Sequence, residues 1–366
     1  MNVHLPLTDV HLTPELYFVI PGELKTLTGG YAYDRELMTA LRHAGIIVHH
    51  VTLSGQFPTP DESALADAGA QLAAIPDQAL VLIDGLAYGV MDTLAAREHH
   101  RLRIIALCHH PLALETGLTE DVKAALLQSE RTALTLACAV VVTSSATASL
   151  LTERFDVSAD KITVALPGTG RPAFAPCRGQ PPCLLTVATL TRRKAHDVLI
   201  SALSRVEALP WRARFVGGDQ FDPAWSAQLR TQVADLGLGE RIQFAGSVDD
   251  LNTEYAAADV FVLPSRFEGY GMVFAEALSY GLPVIAAHAG AVPDVVPDSA
   301  GILVAPDDAD KLAAALHAIL STPSHFAALR RGAQAAAAQL PQWQNTANQL
   351  IAVLQTVAQQ QVNQQT

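Results

Sequence analysis

Two glutamates, Glu268 and Glu276, are separated by seven residues and bracket Gly269-Tyr270-Gly271, just after the apolar run 260–263. Glycines at a helix start let a ligand approach the backbone, and the unpaired N–H groups of the first turn attract an anion. A carboxylate at Glu276, among Val273, Phe274, Ala275, Ala277 and Leu278, is costly unless it finds partners, and a pair of ligand hydroxyls would supply them. A second cluster, Arg192-Arg193-Lys194, follows the apolar run 184–188. Cations there can hold a diphosphate and stabilise its charge as it leaves. Gly29 and Gly30 precede a third helical pattern and permit close approach of a ligand. His109 and His110 stand directly after the run 103–108, with Glu115 beyond them as a weaker candidate for acceptor contact.

These residues need elements to position them, and the chain supplies a regular alternation. Strand-length apolar runs fall at 16–20, 46–52, 79–83, 103–108, 139–143 and 161–165. Helical patterns lie between them at 31–44, 61–74, 89–98, 120–137 and 146–155. A Pro- and Gly-rich stretch, 167–183, reads as a linker. The alternation then restarts, with strands at 184–188, 213–216, 242–245, 260–263, 283–286 and 301–304. Helices are expected at 196–207, 224–236, 248–257, 271–279, 309–320 and 326–338, with one more at 343–357. Such β–α alternation predicts α/β architecture with parallel sheets covered on both faces. Two doubly wound domains facing each other would hold ligand in the cleft between them, beyond the carboxyl ends of the strands.

The stretch 259–287 resembles retaining glycosyltransferase family 4, in which a strand leads through P-S-x-x-E-G-x-G into a helix carrying E-A-L-x-x-G-x-P-V-I-A. The resemblance spans roughly residues 16–340 and includes RFVGGD at 214–219 and RIQFAGSV at 241–248. It implies a GT-B fold of two Rossmann-like domains across a cleft. The expected division is 1–170 on the acceptor side, 171–340 on the donor side, and a helix at 341–366 that crosses back. The implied reaction moves a sugar from an NDP-sugar donor to an unidentified acceptor, with retention and without a divalent metal or other cofactor. Glu268, His109 and Lys194 take the catalytic roles by this likeness. Gly29, Gly30, Arg192, Arg193, Lys194, Gly246, Gly271, Met272, Val273 and Glu276 line the donor, with Glu276 on the ribose. Two points stay open: His109 or His110 at the sugar, and Arg192 or Arg193 in place of the family Arg, since Thr189 occupies its position. Two rival readings keep parts of this picture. One is a GT-B epimerase or phosphorolytic enzyme; the other is a catalytically poor NDP-sugar-binding subunit.

Composition excludes other classes. The chain of 366 residues carries a formal charge of −12 and both halves are acidic, so there is no basic footprint for nucleic acid. Four cysteines in that length make no disulfide framework, and Cys177 and Cys183 lack the further ligands of a zinc site. No targeting or membrane-spanning pattern is visible, which gives a cytoplasmic expectation compatible with peripheral membrane contact.

Overall fold

Short runs of Val, Ile, Leu and Ala, apolar on both faces, become strands of two buried parallel sheets. In the computed structural model, which describes residues 15–362, the first sheet contains β1 (Glu15–Pro21), β2 (Ile47–Leu53), β3 (Leu80–Asp84), β4 (Arg103–Cys108), β5 (Ala139–Val142) and β6 (Ile162–Val164). The second contains β7 (Cys183–Val187), β8 (Arg212–Val216), β9 (Ile242–Gly246), β10 (Val260–Leu263), β11 (Val284–Ala287) and β12 (Gly301–Val304). The orders are β2-β1-β3-β4-β5-β6 and β12-β11-β10-β7-β8-β9, and every pairing is parallel. The strand order therefore reverses between β1 and β3 in the first domain and between β7 and β10 in the second. Open α/β sheets bind ligands at such switch points, beyond the carboxyl ends of the strands.

All twelve expected strands form, with ends shifted by a residue or two. The helices start where side chains can satisfy the first N–H groups: Asp61 accepts from Ala64, Ser144 from Thr147, and Asp308 from Lys311. One expected helix, 89–98, is corrected. Asp84 caps a short helix, Gly85–Tyr88, immediately after β3, and the chain begins a fresh helix at Asp92–Glu98. Gly89 between them is pressed by the side chains of Leu112 and Glu130. The basic stretch after β7 is a one-turn 3-10 helix, Arg192–Lys194. Gly29 and Gly30 lie inside the first turn of the helix Gly29–His43 and not in a preceding loop.

The polypeptide crosses between the domains twice, and the two crossings are bonded to each other. Thr169 N–H donates to the Pro341 carbonyl at 2.8 Å, and Thr346 Oγ1 donates to the Leu166 carbonyl at 2.7 Å. The helix Trp343–Val362 then lies on the first domain, where Ala347, Leu350, Val353, Leu354 and Val357 share one buried cluster with Leu16, Phe18, Leu37 and Val141.

Gly168 is where the crossings come closest, and a Cβ there would fall 2.1 Å from the Trp343 nitrogen. Backbone cannot give way as a side-chain tip can. Gly168→Ala should therefore cost about 1–3 kcal/mol in urea denaturation. Gly170→Ala, whose Cβ meets only Pro172 at 3.9 Å, should stay within about 0.5 kcal/mol of the parent.

Candidate active site

The second switch point gathers charge. Beyond β7 the chain passes so close to Gly217 that a Cβ there would strike the Ala188 carbonyl. It then forms the Arg192–Lys194 turn and reverses through Ala195, whose φ of +53° lies in the left-handed region. Beyond β10, Arg266 N–H donates to the Arg193 carbonyl at 2.8 Å and ties the two strand ends together. Glu268 lies between them, only 5% exposed. Lys194 Nζ donates to its Oε1 at 2.6 Å, and Arg193 Nη1 to its Oε2 at 3.4 Å. Burial would raise the carboxyl, but Lys194 and then Arg193 outweigh it and hold Glu268 at about 2. Burial also lowers Lys194 from its ordinary value, against the pull of Glu268. The carboxylate is thus a fixed anion with two cations already in place.

Gly271, at φ +85°, opens the helix Met272–Ser279 without a side-chain cap, which leaves first-turn N–H groups for an anion. Met272 packs against the apolar clusters of both domains, and half-buried Val273 follows it. Glu276 lies one turn further, and Tyr255 O–H donates to its Oε2 at 2.7 Å. Burial raises the Glu276 carboxyl, with the Tyr255 bond working the other way. The polar partner that the apolar helix demands is therefore found within the protein. Gly246 ends β9 at φ +71°, and its carbonyl accepts from Gly217 N–H at 2.9 Å.

The first switch point is organised around His109. Its Nε2 lies 3.2 Å from Asp34 Oδ1 and 3.3 Å from Asp84 Oδ2. Asp34 comes from the helix Gly29–His43 and Asp84 from the end of β3. Burial opposes a charged ring, yet the two carboxylates outweigh it and raise His109 to about 10. Asp34 in turn is raised by its burial and by Asp84. Gly30 borders the same ring, its absent Cβ 3.5 Å from His109 Cδ2, whereas Gly29 has open space beside it.

The domains meet directly over this point. The His109 carbonyl abuts Gly269, where a Cβ would come within 2.2 Å, and Thr147 Oγ1 donates to the Gly269 carbonyl at 3.3 Å. Glu115 reaches across to Arg193 Nε at 3.2 Å. His110 packs against Phe267 with ring centroids 4.8 Å apart and planes tilted by 41°, and burial followed by the nearby Arg193 lowers it to about 4. His109 thus faces the first domain's carboxylates, while His110 faces the second domain as a neutral ring.

Sequence-selected residues accordingly divide. Glu268, Lys194 and Arg193 converge, with Glu115 and His110 beside them. Arg192 does not join them: its guanidinium lies 4.4 Å from the Trp225 ring centroid and pairs with Asp222 at 3.5 Å. Arg193, not Arg192, is the cation placed beside Glu268. Asp34, Asp84 and Tyr255 were missed by the sequence reading. A polar residue ending the apolar run of β3 was the available signal for Asp84; Asp34 and Tyr255 find their partners only in the fold. Among the described residues, Asp34, Asp84 and His109 form the one set whose His and carboxylate atoms lie within 4.8 Å of one another, and here His109 Nε2 is hydrogen-bonded to Asp34 and ion-paired with Asp84.

Comparison with known proteins bears on the fold and on the second domain. Residues 181–322 match the family described as Glycosyl transferases group 1. The GDP-mannose-dependent monoacylated alpha-(1-6)-phosphatidylinositol monomannoside mannosyltransferase of Corynebacterium glutamicum is 30% identical over 186 residues, 48% of this chain and 47% of that protein. The mannosylfructose-phosphate synthase of Agrobacterium fabrum is 30% identical over 181 residues, 47% of this chain and 40% of that protein. The chain thus spans less than half the length of these curated relatives. The fold match is wider. Sucrose-phosphate synthase from Thermosynechococcus elongatus superposes with a TM-score of 0.80 at 22% identity, covering 94% of this chain and 99% of that one. HepE of Anabaena, solved with UDP and glucose, gives 0.74 at 19% identity over 92% and 99%. The fold is GT-B. The match to the glycosyl transferases group 1 family falls within the second domain.

The Lys194–Glu268 pair sets a measurable stability. Removing one partner of a buried ion pair strands the other, so Lys194→Met should lose about 3 kcal/mol at pH 7 in urea denaturation, Arg193 limiting the loss. Because the folded carboxyl lies below its ordinary value of 4.5, the parent's stabilisation is complete above that pH and is lost as pH falls through about 2. The gap between parent and variant should close over the same window. A loss below about 0.5 kcal/mol at pH 7 would mean that Arg193 alone compensates Glu268.

Proposed function

We propose that this chain is a glycosyltransferase that takes a hexose from an NDP-sugar and passes it, with retention, to an acceptor held mainly by the first domain. The observation that carries the reading is the convergence of Glu268, Arg193 and Lys194 at the β7/β10 switch point, beside an uncapped helix start and inside the family match. Lys194 and Arg193 are the cations for the donor diphosphate; its arrival replaces part of their contact with Glu268. The freed carboxylate then orients hydroxyls of the sugar being transferred, while Glu276 takes the ribose hydroxyls in exchange for part of its Tyr255 bond. Charge building on the leaving diphosphate meets cations and N–H dipoles already in position, which needs no resident metal. His109, held by Asp34 and Asp84, and the adjoining Gly30 border the cleft from the other side. The names of relatives include both GDP-mannose-dependent enzymes and a protein solved with UDP and glucose, so base and sugar are for experiment to assign. No single helix among the described residues is long and apolar enough to cross a membrane. A relative whose name gives a phosphatidylinositol-linked acceptor makes peripheral contact with a membrane part of this reading.

Incubation with a panel of NDP-hexoses tests the reading: one donor should slowly release free nucleotide, accelerated by the right acceptor. Tight binding without any turnover would instead favour a binding subunit, the reading that Thr189 supports. Two substitutions separate the roles of the glutamates. Glu276→Gln should weaken nucleotide binding by about 1–2 kcal/mol in calorimetry, whereas Glu268→Gln should lower kcat more than affinity. Equal nucleotide affinity in Glu276→Gln and the parent would remove the ribose assignment.

A further inference from the structure

The turn after β4 carries His109, His110 and Glu115, yet it rests on a carboxylate that touches none of their side chains. Glu130, in the helix Glu120–Leu136, is 3% exposed. Its Oε1 accepts from Leu112 N–H at 2.7 Å and its Oε2 from Ala113 N–H at 2.9 Å. These are the N–H groups of the short 3-10 helix Leu112–Leu114, midway between the two histidines and Glu115. Gly89 leaves room for the arrangement: a Cβ there would come within 2.8 Å of Leu112 Cδ1 and 2.9 Å of Glu130 Cγ.

We propose that Glu130 is a positioning residue of the site, which by accepting both N–H groups fixes the turn 109–115 against the second domain. The proposal rests on the transferase reading for its kinetic readout and on geometry for the rest. The same turn supplies the His109 carbonyl against Gly269, the His110 ring on Phe267 and the Glu115 contact to Arg193. Releasing it would loosen all three interdomain contacts together.

The carboxylate is also titratable in a useful range. Burial pushes Glu130 up to about 7, against the lowering effect of its two N–H donors. No charged residue of the neighbouring helix Asp92–Glu98 acts on it, and its titratable neighbour on β4 is the Cys108 thiol, itself raised by burial and then by Glu130. Protonation turns one acceptor oxygen into a hydroxyl facing a donor, so one of the two bonds weakens. With Glu130 still buried on its helix when the turn lets go, loss of the two N–H donors raises its carboxyl further, so the turn is held best above about pH 7 and loosens as pH falls through that value.

Three measurements test this. Parent kcat at saturating donor should fall on an acid limb near pH 7. Glu130→Gln keeps the shape but sets an amide N–H₂ against a backbone N–H. It should lower kcat at least tenfold with donor Kd changed less than threefold, and the acid limb should lose Glu130's share, leaving that of Asp34, whose carboxyl burial raises to about 7. Gly89→Ala should displace the same turn while leaving the carboxyl titratable, so kcat falls but the limb stays. The third measurement is independent of turnover. The His110 ring C–H resonance should show an inflection near pH 7 in the parent, well above the ring's own titration near 4, and lose it in Glu130→Gln. His110 is chosen because Asp34 lies beside His109 and not beside it. Full kcat with an unchanged pH profile in Glu130→Gln, or a parent His110 resonance without that inflection, overturns the proposal. A protein that transfers no sugar but shows the inflection would leave it standing and defeat only the transferase reading.

Discussion

A carboxylate kept ionised at 5% exposure must have cations brought to it, and much of this molecule's second domain is arranged to deliver them. Glu268 follows β10, while its partners follow β7, the adjacent strand across the switch point. Short strands, a left-handed Ala195 and the Arg266–Arg193 backbone bond bring the two strand ends into register. Coulomb energy in a partly dehydrated setting makes the pair worth keeping only if the geometry is good, and a 2.6 Å contact meets that condition. Because Arg193 divides its bonds between Glu268 and Glu115, local charge balance and contact between the domains belong to one network. A ligand that draws Arg193 or Lys194 toward itself thereby acts on both.

The two domains solve the same electrostatic problem in opposite ways. In the second, one carboxylate is compensated by two cations. In the first, one imidazole is compensated by two carboxylates, Asp34 and Asp84, and becomes a cation at neutral pH as a result. With two carboxylates around one imidazolium the first cluster carries no net positive charge, whereas the second has two cations on one carboxylate. The turn carrying His109 and Glu115 is where they join, and the buried Glu130 beneath it accepts hydrogen bonds only from backbone.

The strands were legible because parallel strands buried on both faces read as unbroken apolar runs. Each run, from Leu16–Ile20 to Gly301–Val304, needed no knowledge of its neighbours. Glu268, Lys194 and Glu276 were legible for a related reason: a charged residue at the end of such a run, or within an apolar helix, contradicts its surroundings. What could not be read was pairing. Arg192 and Arg193 are adjacent and chemically identical, and only the fold sends one to Trp225 and the other to Glu268. The partners Tyr255 for Glu276 and Asp34 for His109 lie 21 and 75 residues away. The broken helix around Gly89 has the same origin, since the pressure on it comes from Leu112 and Glu130. Local pattern specifies elements; the contacts that tune charge are set by topology.

The helix Trp343–Val362 has a consequence for the making of the protein. Leu350, Val353, Leu354 and Val357 complete the same buried cluster as Leu16, Phe18, Leu37 and Leu41, although the second domain is translated between them. Through that interval the nascent first domain must present an apolar surface beside the helix Gly29–His43 with its cover still unsynthesised. Contacts of such sequence separation form late and slowly, and exposed apolar surface on a waiting domain invites association with other chains. The second domain, whose buried clusters draw on residues 175–333 alone, has no such dependence. Vectorial synthesis therefore reverses the apparent order: the domain made first is finished last, and a ribosome that stalls between the domains would release a product unable to close its own core.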